Sequence, residues 1–220
     1  MSLSRHAWRW HRWLAYGVGL QVLVCLTSGL LFAWLPFKTW VKGEDLLRRP
    51  ALALPAGWAI LPPGAAAWPA ADVRSAQLVA TPNGPSWRLN LRSEPNPRLW
   101  PLDGRDWVEP DTEAVRRFAV AHYAAAAAVA GIERLDRVPR RLGLVDEVGG
   151  RAPVWRVRFD DALSTRLHFD GRTGEFLALR TEAWVWYDFF WRLHIMDYQG
   201  GEDFNGALLR GAASAGWLLG

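Results

Sequence analysis

From Trp13 to Phe37 the chain runs for 25 residues without a charged side chain. As a helix this stretch rises about 37 Å at 1.5 Å per residue, enough to cross a bilayer core of about 30 Å with some tilt. Trp8, Trp10 and Trp13 stand at one end and Trp34 and Trp40 at the other, the arrangement of two interfacial aromatic belts. Arg5, Arg9 and Arg12 form a basic tail over residues 1–12. Positive charge of this kind stays in the cytoplasm, so Lys38 onward is expected outside. A cleaved leader is the alternative; the apolar run is longer than leaders carry, and no A-x-A site follows it.

Within this helix, Gly17, Gln21, Val24 and Ser28 share one face. His11, Ala15, Val18, Val22, Cys25 and Gly29 share another. Small, weakly polar residues on a lipid-embedded helix mark contact with another helix, in the same chain or in a homodimer. Scattered small residues without a partner are the competing reading. Gln21 in hydrocarbon needs a hydrogen-bond partner either way.

Half of the residues are apolar, yet the mean hydropathy is −0.05. That combination fits an apolar segment joined to a water-soluble one. The net charge of +4 does not indicate nucleic acid. Arg5, Arg9, Arg12 and Arg210 lie beside apolar segments, and the other Lys and Arg residues equal the 22 acidic ones in number. The excess is charge that orients a membrane segment, not a phosphate-binding face. Cys25 is the single cysteine, so no intramolecular disulfide can form.

The region beyond the helix contains a repeat. Residues 85–105 read PSWRLNLRSEPNPRLWPLDGR and residues 153–172 read PVWRVRFDDALSTRLHFDGR. Trp87-Arg88-Leu89 matches Trp155-Arg156-Val157, Arg98-Leu99 matches Arg166-Leu167, and Asp103-Gly104-Arg105 matches Asp170-Gly171-Arg172 after one extra residue in the first copy. Each copy alternates apolar and polar residues, turns, and alternates again, which predicts an antiparallel hairpin with one buried face. Ahead of the second copy, Asp111 or Thr112 caps a helix whose face carries Val115, Phe118, His122, Ala125 and Val129, with Gly131 after its last turn. Residues 60–80, ahead of the first copy, are a poor helix. The expectation is two helix-plus-hairpin units, the first degenerate, packing faces that neither buries alone. Residues 43–64, rich in Pro, Gly and Ala, read as linker. His122 reads as a core or rim histidine. His168, alternating with Leu167 and Phe169, is expected to point outward. No Gly-rich phosphate loop, zinc spacing or Ser-His-Asp order occurs in residues 38–182, and nothing there indicates catalysis.

The stretch WRLHIMDYQGGEDFNG, residues 191–206, crowds ionisable groups between the aromatic run AWVWYDFFW and the apolar segment ALLRGAASAGWLLG. Its simplest reading is structural. Gly200 and Gly201 permit a turn, Asp203 or Asn205 caps the following helix, and His194 and Tyr198 hydrogen-bond at the interface. A small polar site for a ferric chelate or metal ion, built from His194, Asp197, Glu202 and Asp203, is a second reading, since oxygen-rich ligands suit hard cations. Their spacing matches no recognised metal-binding loop.

Several pieces together carry a resemblance. They are the flank Trp10-His11-Arg12-Trp13-Leu14, the helix with Thr27-Ser28-Gly29, the W-R-V-R-F strand with its D-G-R-T-G-E turn, and L-H-I-M-D-Y before another apolar run. The chain resembles the PepSY-associated transmembrane proteins of bacterial inner membranes, a family that includes iron-regulated membrane proteins and ferrisiderophore reductases. The resemblance implies a periplasmic PepSY module with both chain ends inside, and in some relatives a flavin reductase domain after the last helix. Residues 206–220, with Arg210, are too short to span where relatives continue as a full helix. Either the chain is a fragment or this end rests in the interface.

The resemblance also implies b-type haem, for which histidines on membrane helices are the usual axial ligands. His11 and His194 are the candidates. Placed at opposite boundaries, about 35 to 40 Å apart by helix rise, they cannot share one iron, and each needs a second histidine at its own depth.

The expected architecture is α+β. It comprises a tail (1–12), transmembrane helix (13–37), linker (38–72), PepSY-like periplasmic domain (73–182), aromatic juxtamembrane motif (183–205) and the start of a second transmembrane helix (206–220). The expected function is transmembrane electron transfer in reduction of a ferric siderophore. His11 and His194 are cofactor ligands, Asp197, Tyr198, Glu202 and Asp203 position His194 or the substrate, and a cytoplasmic flavin reductase domain or protein is the electron donor. The alternative is a tethered periplasmic module without redox role that binds and regulates a peptidase or other partner, its strand edges recruiting an extended segment.

Overall fold

The computed structural model describes residues 3–49, 52, 54, 72–103, 105–203 and 205–219. Most of the expected linker, and residues 60–71 ahead of the first repeat, lie outside them. The fold is mixed α+β, with two antiparallel sheets and a long N-terminal apolar helix. The chain divides into two units: Met1–Lys42 with Arg140–Asp146 and Glu182–Gly220, and Gly43–Pro139 with Glu147–Thr181.

The first unit is built on α1 (Leu3–Trp34), whose His6–Trp34 portion is long and apolar enough to cross a membrane. A π-helical turn at Phe37–Val41 follows. Helix α3 (Glu182–Ile195) lies along α1 in the opposite direction. Tyr187 meets Phe32 at 4.6 Å between ring centroids, while Leu193 meets Gln21. Helix α4 (Ala207–Leu219) also meets α1, with Gly216 close to Val18. Gln21 therefore has its partner. Its Nε2 donates to the Leu193 carbonyl at 3.2 Å, so part of the small-residue face is occupied by a helix of the same chain.

Among the described residues the second unit holds seven strands in two sheets. Strands β1 (Val73–Thr81), β2 (Gly84–Leu91) and β3 (Arg98–Pro101) form one in that order. After α2 (Thr112–His122), strands β4 (Val129–Leu135), β5 (Val154–Phe159), β6 (Arg166–Asp170) and β7 (Phe176–Arg180) form the other. The two expected hairpins are β2–β3 and β5–β6. Residues 73–81 are strand, where a poor helix was expected. Their alternation of Val73, Ser75, Gln77 and Val79 against Leu91, Asn90, Arg88 and Ser86 gives a paired ribbon instead.

Helix α2 begins as expected. Asp111 is the N-cap, and its Oδ1 accepts the Ala114 amide at 2.7 Å. It ends at His122, well short of Gly131. Alanines 124 to 128 favour helix by propensity, but Tyr123 pairs with Leu47 as a bridge, and its hydroxyl donates to Asp161 Oδ2 at 2.6 Å. Tertiary pairing outweighs propensity at this point. Val115, Ala119 and Tyr123 pack with Trp155, Val157, Phe159, Leu167, Phe169 and Leu179 as the core, joined at its margin by Leu46 and Leu47 from the expected linker. Each fully buried aliphatic or Phe side chain contributes roughly 1.5 to 3 kcal/mol.

His122 lies at the core margin as expected, stacked on Phe176 and donating from Nδ1 to the Phe118 carbonyl at 2.8 Å. Burial lowers its pKa, and the Phe118 bond opposes this. His168 does not point outward; it is fully buried. On its face of β6 stands Arg166, which is paired with the buried Glu147 at 2.8 Å. The alternation was sound, but both faces of β6 are covered.

The two copies differ by one residue in register. Trp87 pairs with Trp100 and Arg88 with Leu99, whereas Trp155 pairs with Phe169 and Val157 with Leu167. Aligned residues Leu99 and Leu167 therefore oppose non-equivalent partners.

Candidate functional sites

In the first unit the site forms where α3 returns along α1. Ser28 is fully buried, and its Oγ donates to the Cys25 carbonyl at 3.1 Å. His194 Nδ1 lies 2.8 Å from the same Oγ. With the hydroxyl turned to the Cys25 carbonyl, the Ser28 oxygen is open to accept from Nδ1 in the Nδ1–H tautomer. Nε2 has no partner among the described residues. Trp191 stacks on the ring at 6.2 Å and Phe32 meets its edge at 6.0 Å. Cys25 Sγ donates to the His194 carbonyl at 3.8 Å, which fixes the backbone beneath the ring.

The structure separates the two expected ligands less than helix rise through a boundary-to-boundary placement required. Because α3 folds back, His194 stands beside Ser28, so the rise from His11 is about 25 Å rather than 35 to 40 Å. One iron still cannot reach both. The Nδ1 contact with Ser28 and the flanking Phe32 and Trp191 rings are what a histidine that ligates through Nε2 would need around it.

Asp197, Tyr198, Glu202 and Asp203 are brought together in the loop between α3 and α4, but not around His194. The Asp197 carboxylate accepts four backbone amides, with Oδ1 taking Gln199 and Gly200 and Oδ2 taking Glu202 and Asp203, each at 3.0 Å. The Asp203 amide above all, with the other three, holds this carboxyl well below the usual carboxylate range. Arg192 reinforces the loop by pairing with Asp188 at 2.6 Å and donating to the Gln199 carbonyl at 3.0 Å. Trp191 Nε1 donates to the Gly201 carbonyl at 3.1 Å. Gly201 has φ of 76°, and an added Cβ would sit 3.0 Å from the Arg192 guanidinium. Asp197 is thus spent on the turn. Tyr198, Glu202 and Asp203 are exposed. Asp203 Oδ1 accepts the Asn205 amide rather than capping α4. Among the described residues, no three His, Cys, Asp or Glu side chains converge as for a metal ion.

In the second unit a cleft of about 760 Å³ lies between β3 and the β6–β7 turn. The sequence reading missed it, although its signal was present: Arg105 and Arg172, the arginines of the two D-G-R turns, both line it. Asp103 Oδ1 accepts the Arg105 amide at 3.1 Å and Asp170 Oδ1 the Arg172 amide at 2.9 Å, a bond common to both turns. Gly171 is required here. Its amide donates to the Pro153 carbonyl at 2.8 Å, and an added Cβ would sit 2.6 Å from the Pro153 carbonyl carbon. This close approach brings Arg151 to the same cleft as Arg172.

We found no family model, curated protein or solved structure that this chain matches.

Proposed function

We propose that this chain is a bacterial inner-membrane protein that takes part in moving electrons across the bilayer, with His194 as an axial ligand of b-type haem and a ferric chelate of the siderophore class as the outer acceptor. The observation that carries the reading is the Ser28–His194 contact. It supports a role for His194 that a merely interfacial histidine does not need: Nδ1 is held against α1, and Nε2 has no partner among the described residues. Haem, when bound, supplies a one-electron iron couple. The protein's part is to hold the imidazole through Ser28 and to flank it with Phe32 and Trp191. His11, about 25 Å away by helix rise, belongs to a second haem nearer the cytoplasm. Each haem takes its other ligand from a second copy or from a further helix, and a cytoplasmic flavin reductase donates the electrons. The α+β unit is periplasmic and PepSY-like in this reading.

The test is an absorption spectrum of the protein purified in mild detergent from haem-replete cells and reduced with dithionite. A sharp Soret band with b-type α bands, lost in His194→Ala, is expected. A colourless, well-folded protein rules the assignment out.

A second reading, a tethered binding module without redox role, draws on the cleft of the second unit, which needs no cofactor.

A further inference from the structure

Charge bookkeeping in the cleft leaves cations unanswered. Glu175 pairs with Arg88 at 3.4 Å, Glu109 with Arg134 at 3.1 Å, and Asp170 Oδ1 accepts the Arg172 and Thr173 amides. Those three carboxylates are engaged. Among the described residues Asp106 is the cleft carboxylate without a partner, whereas the guanidinium groups of Arg151 and Arg172 are both unpaired and exposed. Arg105 is held only loosely, 3.4 Å from Asp103 with its side chain 85% exposed. Trp100 and Trp107 supply half-buried aromatic surface in the same lining.

We propose that the two D-G-R turns, with Arg151, form a binding site for a small organic polyanion with a planar body, its carboxylate-type groups taken by Arg105, Arg151 and Arg172 and its plane laid on Trp107. Arginine suits this task because its planar fork bonds a carboxylate through two parallel N–H groups and stacks on aromatic faces. The volume falls in the range of roughly 300 to 1,000 Å³ typical of small-molecule sites. An added peptide strand is disfavoured. Strand β3 ends its sheet at the cleft, but Pro97 precedes it and Pro101 closes it, and proline cannot donate to a ladder. The two turns come from the two repeats, so the duplication itself furnishes paired cationic groups. The inference is independent of haem.

The experiment is isothermal titration of the full chain, in nanodiscs of neutral phosphatidylcholine, with benzene-1,3,5-tricarboxylate. Saturable binding at low salt is expected. It should weaken about tenfold in Arg151→Gln and in Arg172→Gln, and by a similar factor in Trp107→Ala. Arg172→Lys should recover part of the loss, since it keeps charge without the fork. The Arg151 and Arg172 side chains are exposed and unpaired, so their variants should fold; circular dichroism checks this and checks the half-buried Trp107→Ala as well. Absence of heat up to about 10 mM probe, where ion-pair affinity would have to show, overturns the proposal. So does an affinity unchanged in the Arg151→Gln/Arg172→Gln double variant. Tighter binding of an octaglutamate peptide, insensitive to Trp107→Ala, also overturns it and assigns the cleft to acidic protein segments.

Discussion

Ser28 and His194 stand 166 residues apart in sequence and 2.8 Å apart in the fold, joined by a hydrogen bond beside the one Ser28 gives the Cys25 carbonyl. A partner of this kind typically changes ligand affinity about 10- to 100-fold. On the proposed haem role, Ser28→Ala should weaken haem retention by that order, and Ser28→Thr, which keeps the hydroxyl, should restore it. Soret titration of the haem-free protein with hemin measures this. Equal retention in wild type and Ser28→Ala would show that Ser28 does not position the ring.

The Asp197 carboxylate is the hub of the α3–α4 loop. Its carboxyl is depressed below the unfolded value of about 3.9, so the stability it contributes is present above that pH and is lost as pH falls through the folded value. Asp197→Asn cannot accept all four amides and should lower the thermal midpoint by a few degrees near neutrality. The gap between variant and wild type should narrow below about pH 4. Thermal unfolding across that range is the measurement; a gap independent of pH would contradict the charge argument.

Glu147 and Arg166 form a pair with side chains 0% and 5% exposed. Removing one partner of such a pair strands the other, at a cost of about 3 to 5 kcal/mol. Glu147→Ala should be destabilising on that scale, whereas Glu147→Ala with Arg166→Met should recover most of the loss. Denaturant unfolding of the single and double variants distinguishes this from simple loss of packing, in which the costs would add.

His168 provides a pH response in a different window. Burial first, then the charges of Arg156, Arg166 and Arg180, lower its pKa to about 3, against a weaker opposing contribution from the Ala178 backbone. The fold favours the neutral ring, so its stabilising contribution is present above about pH 6.5 and is lost as pH falls from there toward about 3. At pH 4.5 the loss is about 2 to 3 kcal/mol. His168→Gln should flatten the stability profile between pH 7 and pH 4.5, read by chemical denaturation. An unaltered slope would place the titrating group elsewhere.

Much of the second unit was legible in the sequence because its signals are local. The period-two alternation around Trp87 and Trp155 gave both hairpins, and Asp111 gave the start of α2. What escaped is long-range. The end of α2 depends on Leu47 and Asp161 meeting Tyr123, and strand β1 depends on pairing with β2. Burial of His168 depends on a second covered face that alternation cannot reveal. At the candidate sites the residue types were visible and their partners were not. His194 stood out, but Ser28 did not, since nothing in sequence links positions on α1 and α3. Asp197 was read as facing a ligand, and it instead faces the backbone of its own loop. Arg105 and Arg172 are visible in sequence as repeat landmarks, whereas the cleft that unites them is a product of the fold.

The one-residue slip between the repeats has a wider consequence. Arg98 and Arg166 descend from matching positions in the two copies, yet one is a surface group clasped by Glu94 and the other is sealed inside against Glu147. A duplicated hairpin that kept its register would have duplicated its surfaces as well. With the register shifted, matching positions of the two hairpins meet opposite surroundings, one in water and one sealed in the scaffold.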